Sequence, residues 1–417
     1  MLELKNELKP VVFSSDEIAE AWAHIETQWG ILTRDQKIDE GTLIGLPYPY
    51  VVPSVESEDG FSFQEMYYWD NYFLAQGLIR TGRQELAEGI LEDLIYLIKR
   101  LHIVPNASRY YLSGRSQPPF LTSLVFDLYD LDEKSDAWLR EHIAFAIKEY
   151  QTVWLGTEQP NIRNVYKNLS RYYDINVLND LAEAESGWDY TTRYGGKCLS
   201  YVPICLNSLL YKYETDFARA FTIFKDPDTA DVWKAKAQGR AETINSELWS
   251  DERGFYFDLN YEDGSHSPVW SLAGYYPMWA GLATAKQAQQ LVDKLHLFLY
   301  EGGLATTASP HDTFDNRSFS KQWAYPNGWA PLHWLVVQGL VKYGYHEEAD
   351  LIARRWIKTN LDYFKQFKIF REAYNVVNPL DTPVEGVYPA QIGFGWTNAI
   401  FVDLCKQFLS PDELLKV

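Results

Sequence analysis

The sequence predicts an all-α fold built from repeated helical hairpins. Three observations predict it. Amphipathic helical periodicity is the dominant pattern, Gly-ended apolar helices recur along the chain, and β-type stretches are short and isolated. Ser14-Ser15-Asp16-Glu17 reads as a capping-box start, after which Ile18, Trp22, Ile25 and Trp29 fall on one face. Gln76-Gly77-Leu78-Ile79-Arg80-Thr81-Gly82 then closes one apolar helix, and Gln84-Glu85 opens the next with an acid in its first turn. Gln338-Gly339-Leu340 through Gly344, followed by His346-Glu347, repeats that arrangement. Ala280-Gly281, ahead of a helix expected at 287–295, is a weaker copy. Gly82, Gly281 and Gly344 each stand where a helix C-terminus needs a left-handed residue. From Ser135, the residues Leu139, Ile143, Ile147, Tyr150 and Trp154 mark a further amphipathic helix, while 109–113 and 254–259 read as hairpins or loops between helices. Hairpins in such a series close into a toroid or stack as an open solenoid, although shared capping rules alone also make Gly-ended helices look alike.

No low-complexity stretch, Pro-rich linker or charge block divides the chain. Its 417 residues are expected to form one catalytic domain, 1–417, with 1–58 as an N-terminal helix and lead-in segment. Hydrophobic residues make up 46%, which excludes disorder. Aromatics reach 16%, with 15 Trp and 29 Tyr, a surplus that suggests a ring-lined cavity besides a core. A formal charge of −19 would repel phosphate backbones and anionic membranes, so neither nucleic acid nor membrane is an expected partner. It weakly favours a neutral substrate over an anionic one; the expected partner is a small neutral sugar, and the expected state a monomer or weak homo-oligomer. Cys198, Cys205 and Cys405 form no CxxC, and Met1-Leu2-Glu3-Leu4-Lys5 starts no apolar leader, which together predict a cytoplasmic protein. The eight histidines show no HxxxH or HExxH spacing, and no GxGxxG or P-loop is present, so no metal or organic cofactor is expected. His333 is expected to be packed or capping.

Chemistry concentrates where acids neighbour aromatic rings. Trp69-Asp70 sits in an aromatic run, Asp189 follows Gly187-Trp188, and Glu372 precedes Ala373-Tyr374-Asn375. Rings stack on the apolar faces of sugars, carboxylates bond their hydroxyls, and two carboxylates in opposite protonation states can cleave a glycosidic bond. Around them lie Asn106 to Phe120, Gln322-Trp323 to Pro331, and Gln391 to Asn398. Pro118-Pro119 forces Arg115, Ser116 and Gln117 onto an extended loop. For a single Trp, core packing is the better reading; polar residues between Trp, Gly and Pro in loops point to a site.

Phe63…Tyr68-Trp69-Asp70 and Gln322-Trp323…Gly328-Trp329-Ala330-Pro331 resemble the two trehalase signatures of glycoside hydrolase family 37. Arg115-Ser116-Gln117-Pro118-Pro119-Phe120, Glu185-Ser186-Gly187-Trp188-Asp189 and Gly393-Phe394-Gly395-Trp396-Thr397-Asn398 match further blocks in the same order. The resemblance implies an (α/α)6 toroid and an inverting α-glycoside hydrolase. It makes Asp189 the general acid and Glu372 the general base, with Trp69, Asp70, Asn106, Arg115, Gln117 and the Gly187 backbone holding sugar. Phe63, Trp188, Gln322, Trp323, Gln391 and Trp396, in the same blocks, complete the expected substrate-binding set. Inversion requires carboxyl groups roughly 6.5–9.5 Å apart, with room for a water.

Several positions depart from that pattern. Ser62 replaces a basic residue, Ala324 an Asp, and Val387 a Glu, with Glu385 two residues away; Asn168 to Asp174 stands where an Arg-Pro-Glu is expected. Bond cleavage is therefore better supported than trehalose as the substrate, because unmatched polar groups make a site reject a sugar. Family 63-like hydrolases of glucosylglycerate, mannosylglycerate or another disaccharide are the alternative. A binding protein on an inactive hydrolase scaffold, or a toroidal lyase or epimerase, agrees less well with the surviving acid pair.

Overall fold

A computed structural model describes residues 11–54, 62–131, 134–309, 314–318, 321–386 and 391–417. Residues 1–10 and 55–58 of the expected lead-in, and Val387, lie outside the described residues. The first helix, α1 (Ser15–Leu32), buries Ile18, Ile25 and Trp29 as the periodicity predicts, but the Ser14 side chain makes no capping bond. The chain then alternates α2 (Tyr68–Arg80), α3 (Gln84–Leu101), α4 (Leu121–Leu131) and α5 (Asp136–Glu149). After a short α6 (Asn179–Glu185) follow α7 (Ile204–Ile223), α8 (Pro227–Glu247), α9 (Tyr276–Ala280), α10 (Ala285–Lys294), α11 (Ala330–Lys342), α12 (His346–Phe367) and α13 (Gly395–Phe408).

Contacts between these helices close a ring. Each of α2, α4, α7, α9, α11 and α13 touches the next, and α13 returns to α2. Six more, α1, α3, α5, α8, α10 and α12, form an outer layer, and the short α6 lies in the loop between α5 and α7. This is the (α/α)6 toroid, so the hairpin series closes and does not stack as a solenoid. Composition explains the layering. Along α2, α11 and α13 nearly every residue from the first turn onward is buried, as expected of helices surrounded on all sides. The outer helices bury one stripe: α8 buries Ala230, Trp233, Ala237, Arg240 and Ile244 and leaves the rest half-buried or exposed. Each fully buried Leu or Ile in such a stripe contributes roughly 1.5–3 kcal/mol. Gly77 lets α2 and α13 meet, since a Cβ there would lie 2.4 Å from the Ala399 Cα.

The Gly-ended hairpin repeat is the inner-to-outer turn, with Gly82, Gly281 and Gly344 at φ 72°, 79° and 82°. The helix from Ser135 is capped by its side chain, which accepts from the Trp138 N–H, and passes at Tyr150–Trp154 into a π-turn. A short hairpin pairs β1 (Trp249–Ser250) with β2 (Phe255–Tyr256), the latter within the expected 254–259 stretch. Tyr110–Leu112, in contrast, is a single 3-10 turn. Among the described residues, no helix is long and apolar enough to cross a membrane.

Inner-to-outer turns are tight, at 81–83, 224–226 and 343–345. Outer-to-inner connectors are long, at 33–67, 102–120, 150–203, 248–275, 295–329 and 368–394. Alternation therefore gathers all the long connectors at the N-terminal ends of the inner helices.

Candidate active site

A cavity of ≈ 330 Å³ opens at that rim. The connectors supply Pro53, Phe63, Tyr67, Gln117, Gly187, Asp189, Trp323, Glu372, Gln391 and Phe394; the first turns of α2 and α13 supply Trp69, Asp70 and Trp396. Residues far apart in sequence meet because backbone bonds zip the connectors together. The Trp69 N–H donates to Gln117 Oε1 at 3.1 Å, and the Tyr68 N–H donates to the Asn106 carbonyl at 3.3 Å, laying 102–120 along the start of α2. Glu185 is fully buried and accepts from the backbone N–H groups of Ser116 at 2.7 Å and Tyr173 at 2.6 Å, and from Arg163. It thereby ties the Arg115–Gln117 loop to the Asp189 segment.

Asp189 sits on a bent stretch of chain between Gly187 at φ 72° and Tyr190 at φ 59°. Gly187 lies against the Trp69 ring, where a Cβ would come within 2.6 Å of Cε2. Two residues beyond Asp189, the Thr191 N–H donates to Glu183 Oε1 at 2.9 Å, and the Thr191 hydroxyl donates to the Trp323 carbonyl at 3.1 Å. Behind this stretch runs a column of flat groups. The Arg193 guanidinium lies 4.3 Å from the centre of the Trp188 ring, Trp188 stacks on Trp323 at 5.5 Å, and Trp323 stacks on Trp329 at 3.8 Å. Asp258 neutralises Arg193 through bonds of 2.8 and 3.0 Å. Trp396 stands edge-on to Trp69, Trp323 and Trp329.

Glu372 lies just before a two-stranded ladder in which β3 (Asn327–Trp329) pairs antiparallel with β4 (Ala373–Asn375), so that Trp329 faces Ala373. On its other side the Glu372 N–H donates to the Gln391 carbonyl at 3.1 Å. Its own carbonyl accepts from Trp396 Nε1 at 3.3 Å. The acid is thus held between the neighbouring 295–329 connector, the far end of its own connector and the first turn of α13.

Ten of the expected residues line the cavity: Asp189, Glu372, Phe63, Trp69, Asp70, Gln117, Gly187, Trp323, Gln391 and Trp396. Four stand behind its wall. Asn106 Nδ2 donates to the carbonyls of Ser116 and Ala184, Arg115 pairs with Asp174 at 3.1 Å, Trp188 is the middle of the stack, and Gln322 packs under Gly386. Pro53, Tyr67 and Phe394 also line the cavity, though sequence reasoning does not single them out. Tyr67 and Phe394 lie inside the signature-like blocks without being singled out, whereas Pro53 carries no local signal. Glu385 is half-buried and not among the lining residues. His333 is packed: Nδ1 bonds the Trp329 carbonyl and Nε2 accepts from the Leu304 N–H, while burial lowers its pKa to about 3.

Three carboxyls line one cavity, and the electrostatics follow. Burial raises the Asp189 pKa to about 6, opposed by the Arg115 charge. Asp70, 4% exposed, is pushed well above the usual carboxylate range by burial, then by Glu372 and Asp189. Groups that ionise differently around one cavity can divide proton donation and acceptance between them.

The trehalase family model matches residues 4–184 and 176–408 of this chain. Neutral trehalase Nth1 from Saccharomyces cerevisiae is similar over 88% of this chain and 75% of its own, at 31% identity and a TM-score of 0.76. The family 63 mannosylglycerate hydrolase from Thermus thermophilus shares the fold over 85% of this chain and 95% of its own, at 18% identity and a TM-score of 0.63. With a family match along nearly the whole chain and an acid-lined cavity at the mouth of an (α/α)6 ring, this chain belongs to the trehalase family and is a glycoside hydrolase.

Proposed function

We propose that the chain is an inverting hydrolase of a small α-glucoside such as α,α-trehalose. Asp189 acts as general acid and Glu372 as general base. The observation that carries this reading is that both carboxyls line the same ring-walled cavity, although they come from different connectors. With its pKa near 6, Asp189 is partly protonated close to neutrality, and a bound sugar that displaces water disfavours its charge further. It gives that proton to the glycosidic oxygen. Glu372 takes a proton from the water that attacks the anomeric carbon on the opposite face. Asp70, whose ionised form is disfavoured by burial and by the neighbouring Glu372 and Asp189, bonds hydroxyls of the reacting sugar. Trp69, Trp323 and Trp396 cover the apolar ring faces, and Gln117 and Gln391 contribute amide groups. Arg115, Asn106, Trp188 and Gln322 act by positioning the residues in front of them. The reduced state of Cys198, Cys205 and Cys405, all buried and unbridged, supports cytoplasmic action.

A second reading, hydrolysis of another α-glycoside as in family 63, draws on the altered rim. The Ser62 hydroxyl already accepts from Gln64 Nε2 at 3.0 Å, and Ala324 offers no side-chain donor or acceptor. Release of glucose from trehalose, kojibiose, isomaltose and glucosylglycerate, with proton NMR of the first-formed anomer, separates the readings. β-Glucose is expected first; α-glucose first would refute inversion. Asp189→Asn and Glu372→Gln should each cost about 10²–10⁴-fold in turnover with the fold intact. Near-normal turnover in either variant would remove the role given to that residue.

A further inference from the structure

We propose that Arg317 is a positioning residue for proton donation: from the neighbouring connector it locks the turn that aims Asp189 at the glycosidic oxygen. This rests on the reading of Asp189 as general acid and adds a residue that stands outside the cavity wall. Among the described residues none hydrogen-bonds the Asp189 carboxyl, so its direction depends on the backbone that carries it. That backbone is strained. Tyr190, the next residue, is left-handed at φ 59° although it has a Cβ. Such a conformation persists only where its surroundings over-determine it. Upstream, Trp188 is fixed in its stack. Downstream the anchor is Thr191, and each of its polar groups is engaged. Its N–H donates to Glu183 Oε1 at 2.9 Å, its hydroxyl to the Trp323 carbonyl at 3.1 Å, and its carbonyl accepts from Arg317 Nη2 at 3.1 Å.

Arg317 closes that anchor into a triangle. Nη2 also donates to Glu183, at 3.0 Å to Oε2 and 3.3 Å to Oε1, so one carboxylate and one guanidinium grip both backbone groups of Thr191. Nη1 reaches Asp180 Oδ1, in the first turn of α6, at 2.8 Å. On the opposite edge Nε donates to both Asp315 oxygens at 3.0 Å, which orients the fork, and Lys321 donates to the Arg317 carbonyl at 3.0 Å. Gly195 and Gly196 give this segment room to lie on the acid's own connector. A Cβ on Gly195 would come within 3.0 Å of the Phe314 ring, and one on Gly196 within 3.1 Å of Arg317 Cδ.

Donors on two edges of one plane are what a guanidinium has and an ammonium lacks. Burial favours the neutral form of Glu183 and the Arg317 charge opposes it, so removing the guanidinium weakens both remaining corners of the triangle. At Asp189 itself the shift comes from burial and Arg115. Arg317 therefore acts on the acid through geometry, not through its charge.

The test separates proton donation from the rest of turnover. An oxygen leaving group needs a proton from the acid, whereas fluoride leaves α-glucosyl fluoride with far less help. Wild type, Asp189→Asn, Arg317→Ala and Arg317→Lys are compared on the fluoride and on the glucoside of the release panel that is turned over fastest. Urea unfolding of each variant checks its fold. Asp189→Asn should lose about 10²–10⁴-fold in kcat on the glucoside and far less on the fluoride. Arg317→Ala should lose about 10²-fold on the glucoside, as for an acid displaced by about 1 Å, and less than about tenfold on the fluoride. Arg317→Lys, which keeps the charge but not the fork, should show the same split in smaller measure, and is read alone if Arg317→Ala does not fold. Equal losses on the two substrates in a folded Arg317 variant would mean that Arg317 only steadies the fold, and overturn the proposal; unchanged turnover does the same. In either case a split in Asp189→Asn leaves the hydrolase reading standing. If Asp189→Asn shows no split, its role as acid falls and the proposal with it. Turnover of neither substrate by wild type refutes both.

Discussion

Replacing Gly187 with Ala tests whether the Asp189 turn is held as tightly as its neighbours imply. Two costs arise from one methyl group. The backbone at φ 72° is left-handed, which costs an L-residue about 1–2 kcal/mol. The new Cβ would also stand 2.6 Å from Trp69 Cε2 and 2.7 Å from Cζ2. That indole cannot simply swing aside, because Phe73, Trp323 and Trp396 contact it on three sides. Forcing extra volume into such packing costs about 1–3 kcal/mol. Together they predict a loss of roughly 2–5 kcal/mol in urea unfolding. The strain lies two residues from Asp189 and directly on Trp69. A shift approaching 1 Å at the acid would lower kcat by about 10²-fold. Gly187→Ala is compared with wild type by urea denaturation and by steady-state kinetics on the preferred glucoside. Unfolding within about 0.5 kcal/mol of wild type, with normal kcat, would show that the turn and ring adapt freely and would refute the reasoning.

Other consequences follow from the buried charges. An acid catalyst works while protonated, so kcat/KM should fall as pH rises through about 6, the Asp189 value; a pH–rate profile without that alkaline limb would contradict its role. Glu149 is buried with Tyr68 and Tyr213 donating to it, and burial raises its pKa from 4.5 to about 7. Because the folded chain prefers the protonated acid, its stabilisation is complete below pH 4.5 and is lost as pH rises through about 7. Glu149→Gln should flatten that fall, by at most about 3 kcal/mol, in denaturation followed against pH. Arg193→Met leaves Asp258 buried without its partner and should destabilise the fold by about 3–5 kcal/mol. It should also change the near-ultraviolet circular dichroism of the stacked indoles, whereas adding Asp258→Asn should recover part of the stability.

The hairpins were readable because a C-terminal glycine and an acidic first turn are local signals, present at Gly82 and Gly344 alike. Ring closure was not readable from them. It depends on α13 returning to α2, a contact between the two ends of the chain, and Gly77, which permits it, looks like any glycine inside a helix. In the site, residues such as Trp69, Asp70 and Trp396 are legible because each stands in an aromatic-rich block that resembles a trehalase signature or a neighbouring block of that family. Pro53 is not, because only the folded connector brings it to the cavity. Asn106, Arg115, Trp188 and Gln322 share blocks with lining residues, and sequence adjacency cannot separate a wall from its support. The bond from Ser62 to Gln64 was equally invisible, since it depends on how the connector bends.

The two ends of this ring differ in what they tolerate. Lengthening any connector that enters an inner helix would redraw the cavity wall, so new specificities are to be sought there. The tight turns around Gly82, Lys225 and Gly344 lie at the opposite mouth, away from every lining residue. Fused partners, surface attachments or relocated chain ends belong at that quiet face, where the catalyst would not register their presence.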